Sequence, residues 1–188
     1  MVKKVLLNGL DPIGWMNGIW YEITEHEAVY NMEDLSHVEI PYPEADAKNL
    51  FVRDDKKQNY YLITVRGDKR VDLKAFRKKN QTRPLSFASL DDLMQIMNLV
   101  PGAVTPLGIL NDIEKRVKVF LDGDLLKEPG LVGVHPNDNT ATIWMKTEDL
   151  IHIIRNHGNE VTVVERIYEK RNCFRYYCFS GSWCSWLW

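Results

Sequence analysis

Leu90, Leu93, Met94 and Met97 recur at i, i+3, i+4 and i+7, the spacing of one face of an α-helix. Ser89 precedes them as an N-cap and Pro101-Gly102 follows as a stop, so the pattern predicts a helix between these signals. Asp72 caps a second helix over 73–79, with Leu73 and Phe76 inward and Arg77, Lys78 and Lys79 at the negative end of its dipole. Thr147 caps a third, with Leu150, Ile153 and Ile154 inward and Gly158 as its C′ residue. Asn31 caps a short turn over 32–36, where Glu33 and Asp34 suit the positive end.

Short segments rich in β-branched or aromatic residues alternate with these helices, over 50–53, 60–65, 117–121, 131–134, 140–145 and 161–164. Asp122-Gly123 reads as a turn that joins 117–121 to Leu125-Leu126 in a hairpin. The order lacks a strict β-α-β rhythm, which predicts an α+β fold with a mixed, largely antiparallel sheet and surrounding helices. There are no internal repeats, and one continuous domain is expected over 21–166. The first 20 residues hold Gly9, Gly14, Gly18, Trp15 and Trp20 and make a poor helix pattern.

Composition narrows the class. The chain has 188 residues, 45% hydrophobic and 27% charged, which excludes wholesale disorder. No apolar run approaches the roughly 20 residues of a membrane-spanning helix. The apolar start at Val5-Leu6-Leu7 is cut short by Asn8, Asp11 and Pro12 and has no cleavage site, so the cytoplasm is the expected location, without a membrane partner. A net charge of −2 argues against a generic DNA-coating protein. The charge is unevenly spread. Residues 22–46 hold eight Asp/Glu and no Lys/Arg, whereas 66–83 hold eight Lys/Arg against Asp68 and Asp72. Such a stripe is either a solvated face or a phosphate contact.

The three cysteines, Cys173, Cys178 and Cys184, have spacings that match no zinc pattern, and no histidine lies beyond His157. They sit in a tail over 167–188 with eight aromatic residues, to which no chemistry is assigned. The standard enzyme signatures are absent: no phosphate-binding Gly-rich loop, G-x-S-x-G, H-E-x-x-H or paired CxxC. His152 and His157 stand at i and i+5, which is no shared metal face. Neither a metal nor a cofactor is expected.

Three segments stand out. They are Lys48-Asn49-Leu50-Phe51, the loop Pro101-Gly102-Ala103-Val104-Thr105-Pro106-Leu107-Gly108, and Val134-His135-Pro136 followed by Asn139-Thr140-Ala141-Thr142. Singly they read as a surface cation, a helix stop and a turn residue. Their order, K-N-L-F, then G-x-x-x-P, then H-P-x-x-N-T, resembles the YbaK/aminoacyl-tRNA-synthetase-associated editing domain family, and within it the free-standing prolyl-tRNA editing group. The resemblance runs over about 22–165 and includes Leu85-Ser86-Phe87-Ala88-Ser89 and Asn111-Asp112. Two positions depart from it. Pro84 separates Arg83 from Leu85, so no role is carried to Arg83, and Ala28 stands where many relatives have proline.

The resemblance implies a barrel-like sheet and hydrolysis of the aminoacyl ester of mischarged Ala-tRNA(Pro). It implies catalytic roles for Lys48, Gly102 and His135, and substrate contacts from Asn49, Val104, Thr105, Pro106 and Asn139. Lys48 would hold the phosphate or ribose of the terminal adenosine as a point charge. The Gly102-x-x-x-Pro106 loop would offer backbone N–H groups to the oxyanion. His135 would orient the amino group or the water, while the tRNA's own 2′-hydroxyl assists, so no protein nucleophile is required. Val29, Leu50 and Val104 are the candidate walls of a pocket that admits alanine and rejects proline. The implied partners are the acceptor end of tRNA(Pro) and prolyl-tRNA synthetase, with the chain itself a monomer. A Cys-tRNA(Pro) deacylase, a non-catalytic tRNA-binding module and an aromatic-rich interaction protein are the alternatives.

Overall fold

The computed structural model describes residues 18–26 and 41–165. The turn expected over 32–36, the pocket wall expected at Val29 and the aromatic tail over 167–188 lie outside the described residues. The strands are β1 (Tyr21–Glu25), β2 (Ala47–Asp54), β3 (Tyr60–Arg66), β4 (Leu85–Phe87), β5 (Val117–Asp122), β6 (Leu131–Val134), β7 (Ala141–Lys146) and β8 (Val161–Val164). The α-helices are α1 (Leu73–Asn80), α2 (Leu90–Met97) and α3 (Thr147–His157).

The strands form two sheets rather than the single one expected. One is antiparallel in the order β1-β7-β6, the other mixed in the order β4-β2-β3-β5-β8. Among the described residues the strands do not close into a barrel. In the larger sheet β2 pairs antiparallel with β3 and β4, while β5 runs parallel to both β3 and β8. Strand β3 is central, and residues 60–65 are all buried. Side chains alternate across it: Tyr60 and Leu62 join the main core with α2, α3 and the smaller sheet, and Tyr61, Ile63 and Val65 join a second core with Phe76 of α1. This two-sided burial explains the unbroken apolar run in the sequence.

The expected hairpin at Asp122-Gly123 does not form. A type I′ turn needs positive φ at both central residues, and neither residue has it. Asp122 instead accepts from the backbone N–H of Asp124 (3.1 Å) and caps a 3-10 turn over Gly123–Leu126. Its other oxygen takes the ammonium of Lys69 at 2.6 Å, a pair almost wholly out of water, and the backbone N–H of Arg66 at 3.3 Å. Asp124 also pairs with Lys69. The end of β5 is thereby tied to the end of β3 and to the chain that leads into α1.

Asp72 caps α1 as expected, accepting from Lys74 N and Ala75 N. Ser89 caps α2 in a reciprocal capping box with Asp92. The buried face of α2 differs from the expected one: Leu93, Ile96 and Met97 are inside, whereas Leu90 and Met94 are 66% and 46% exposed. The reason is polar. Asp92 accepts from Tyr60 Oη at 3.0 Å and pairs with Arg53, so the face holding residue 92 is turned to the sheet. The helix also stops earlier than expected, at Asn98 in the left-handed region, before Pro101-Gly102. Thr147 is not the cap of α3. Lys146 holds that position without a side-chain bond, and the Thr147 hydroxyl donates to Leu125 O (2.6 Å). Gly158 does end α3, at φ 103°.

In the smaller sheet Gly133 of β6 faces Trp144 of β7. A Cβ on Gly133 would lie 2.5 Å from the indole ring. That ring cannot retreat freely, because its Nε1 donates to Thr24 Oγ1 at 2.9 Å and Tyr42 packs edge-on to it. Gly133→Ala is therefore expected to lower the unfolding free energy by about 1–3 kcal/mol in a urea titration. Wild-type stability in that variant would show that the indole has room to move.

Candidate active site

Strand β6 delivers His135 at its end, and the antiparallel return through β7 fixes its ring. The partner of Nδ1 is the carbonyl of Ala141, at 2.9 Å. A carbonyl only accepts, so Nδ1 carries the proton and donates. In the neutral ring Nε2 is then left as the acceptor. Burial holds the His135 imidazole below its ordinary value of 6.5, which outweighs the bond to Ala141, and neighbouring His26 pushes the same way. A neutral ring with a lone pair on Nε2 is the state that results near pH 7.

His26 follows β1, whose Glu25 pairs with Ala141. Its backbone N–H donates to Thr140 O (2.9 Å), and its Nε2 lies 3.0 Å from Thr142 Oγ1. The two imidazoles meet edge-to-face with centroids 6.1 Å apart. From the other side, buried Thr105 donates its hydroxyl to the carbonyl of His135 at 2.8 Å. This bond ties the Pro/Gly loop to the histidine. Thr105 also caps the 3-10 turn Pro106–Asn111, within which Pro106 is buried. Both residues thus hold the loop in place. Pro101-Gly102 are the central residues of a tight turn closed by Ala103 N–H to Val100 O (3.1 Å), and Gly102 has φ 85°, which glycine alone adopts without cost. Val104 is partly buried against the main core.

Asp46, at the head of β2, lies within electrostatic reach of both Lys48 and His135. Burial pushes its carboxyl up, against the pull of a backbone N–H and of those two neighbours. Its side chain fills the space over Gly67, where a Cβ would come within 2.4 Å of Oδ2. Lys48 is half-buried on β2 opposite Val65, and its ammonium makes no ion pair among the described residues. Asn49 points to the opposite side of the strand, where its amide oxygen accepts from Thr64 Oγ1 at 2.8 Å. Asn139 lies in the loop between β6 and β7 beside Asp138, which accepts from Thr140 N and Oγ1.

His135, Thr105, Asp46 and Lys48 are therefore linked around the junction of the two sheets, with His26 added. Leu50 packs on the second core and Val104 on the main one. Asp46 and His26 were not expected from sequence. Asp46 stands two residues before Lys48, on the same strand face, and His26 lies in the charged Glu25-His26-Glu27 run. Among the described residues no three His, Cys, Asp or Glu side chains gather as a metal site, and no helix is long and apolar enough to cross a membrane.

An α+β scaffold brings a neutral imidazole, a lysine and a backbone-shaped loop together here. The chain belongs to the aminoacyl-tRNA editing domain family, whose profile matches residues 26–153, and it is an aminoacyl-tRNA hydrolase. It is 39% identical over 163 residues to the prolyl-tRNA editing protein ProX of Acetoanaerobium sticklandii, covering 87% of this chain and 96% of that one. It is 31% identical over 147 residues to prolyl-tRNA synthetase associated domain-containing protein 1 of Bos taurus, covering 76% and 85%. A solved structure described as a candidate trans-editing enzyme for prolyl tRNA synthetase has the same fold, with a TM-score of 0.57 at 20% identity, over 76% of this chain and 85% of that one.

The buried, neutral state of His135 has a direct test. In an NMR titration its ring is expected to protonate with a midpoint below about 6.5, because burial disfavours the imidazolium. A midpoint at or above that value would show that burial does not disfavour the imidazolium in this ring.

Proposed function

We propose that this chain is a trans-editing deacylase that hydrolyses alanine from mischarged tRNA(Pro). One observation carries the choice of tRNA: the likeness, along nearly the whole length of both chains, to a prolyl-tRNA editing protein. The site supports the reaction. An aminoacyl ester is already activated, so water must be placed against its carbonyl and the developing oxyanion stabilised. His135 Nε2 accepts a hydrogen bond from the substrate's amino group or from the attacking water. The loop that begins at Gly102 offers backbone N–H groups to the oxyanion, and Thr105 keeps that loop at a set distance from His135. Lys48 holds the phosphate or ribose of the terminal adenosine, with Asp46 within its electrostatic reach. Val104, Pro106 and Asn139 complete the substrate's surroundings, and Asn49, on the other side of β2 from Lys48, holds the strand through Thr64. Selection of alanine over the larger proline is steric.

Purified protein offered Ala-, Cys- and Pro-tRNA(Pro) tests this reading. Ala-tRNA(Pro) is expected to be deacylated and Pro-tRNA(Pro) left intact. Persistence of Ala-tRNA(Pro) at the buffer rate would remove the proposed substrate, and equal loss of Pro-tRNA(Pro) would remove the size sieve.

Lys48→Ala is expected to lower kcat/KM on Ala-tRNA(Pro) by roughly 10- to 100-fold, the scale of one lost charge-assisted hydrogen bond. Its melting temperature should stay near that of the wild type, since this half-buried ammonium makes no ion pair among the described residues. Lys48→Arg should recover part of the loss if the charge alone matters. Full activity in Lys48→Ala would take the lysine out of the site.

A further inference from the structure

The segment over 66–83 carries eight cations; Arg70 is exposed ahead of α1, and the other seven fall into two sets. Four have partners within the fold. Arg66 pairs with Asp68, Lys69 with Asp122, and Arg83 with Asp55, while Lys79 donates to the carbonyl of Glu165. Lys74, Arg77 and Lys78 are exposed and make no ion pair among the described residues. They lie at i, i+3 and i+4 on α1, so their side chains share one face about 5–6 Å apart. With Gln81 and Thr82 they line an open groove of about 490 Å³. Neutral hydrogen-bonding groups thus flank three uncompensated cations on a chain whose net charge is −2.

The position of this face relates it to the candidate site. Phe76 of α1 packs with Val52 in the second core, and Leu50 packs against it. By alternation Lys48 stands on that same sheet face. Strand β3 ends at Arg66, opposite Ala47, and the chain then passes Gly67, which touches Asp46, before α1 begins. After α1 it enters β4, which pairs with the far end of β2 at Asp54. Helix α1 therefore starts at the Lys48 end of the sheet and runs away from it.

We propose that this face of α1 is a rail for the ribose-phosphate backbone of RNA, with Lys74, Arg77 and Lys78 gripping the duplex that adjoins the acceptor end held at Lys48. The proposal rests on the reading of the chain as a tRNA deacylase. Phosphate contacts of this kind position a nucleic acid without reading its sequence. The rail therefore supplies affinity and register, and the site supplies choice of amino acid. Cations in the last turn of a helix also complement its dipole; that role alone predicts a lower melting temperature and unchanged RNA affinity.

The test compares the wild type with Lys74→Ala/Arg77→Ala/Lys78→Ala and with the single variant Arg77→Glu, on three probes. The probes are uncharged tRNA(Pro) for binding, Ala-tRNA(Pro) for turnover, and the alanyl ester of adenosine 5′-monophosphate as a substrate without a duplex. Both variants are expected to fold, as read by circular dichroism. The triple variant should bind tRNA at least 10-fold more weakly in 50 mM salt, and the slope of log affinity against log salt should fall by roughly 2–3, about one per phosphate contact. Its kcat/KM on Ala-tRNA(Pro) should drop in parallel, while hydrolysis of the small ester stays within twofold of the wild type. Unchanged tRNA affinity and slope in both variants would overturn the rail. So would an equal fall on the small ester, which would show damage to the site. Wild-type affinity for heparin equal to that for tRNA, with the same salt slope, would replace RNA by any polyanion. The binding arm uses uncharged tRNA, so it remains readable if the wild type hydrolyses no ester, an outcome that would refute the deacylase reading instead.

Discussion

Lys69 is a cation almost without access to water, and its contact with the Asp122 carboxylate ties together the end of the larger sheet from which the candidate site is built. Removing Lys69 would leave the Asp122 carboxylate buried without a counter-charge, at a cost of about 3–5 kcal/mol, whereas Lys69 has a second carboxylate in Asp124. Asp122 ends β5 and Lys69 follows β3, so the pair closes two parallel strands at a point where no hairpin joins them. It also pins the short connection that contains Gly67. Gly67 in turn leaves just enough space for Asp46, and Asp46 is the group in reach of both Lys48 and His135. The chain that carries Asp46's neighbour Gly67 and the chain that leads into α1 are thus held together by Lys69 and its two carboxylates.

His135 shows how few contacts are needed to fix one imidazole in a single state. Its tautomer is set by a carbonyl, its position by Thr105 and its charge by burial. None of these requires a nucleophile or a metal. His26 at its edge adds a further constraint, since it disfavours a proton on the His135 ring.

Much of this was legible in the sequence, for physical reasons. Strands over 131–134 and 161–164 matched residue for residue because short apolar segments between turn signals leave little freedom. The Asp72 and Ser89 caps were legible because capping is a local interaction. What failed depended on distant partners. Asp122-Gly123 carries the local signature of a hairpin, yet Asp122 is claimed by Lys69, 53 residues away. Thr147 has the chemistry of a cap, but its hydroxyl turns to Leu125. Leu90 and Met94 fit an apolar stripe that Asp92 rotates out of the core. At the site, Lys48, Thr105 and His135 were visible as motif members. Asp46 was not, because its importance comes from two neighbours that only the folded chain brings near.

Asp92 has one more consequence. A single carboxylate closes the capping box of α2, accepts from Tyr60 of β3 and pairs with Arg53 of β2. The first turn of a short helix is ordinarily the part that frays independently. Here that turn cannot open without also breaking the contacts of Asp92 with Tyr60 and Arg53, so fraying of the helix carries a cost set by the larger sheet.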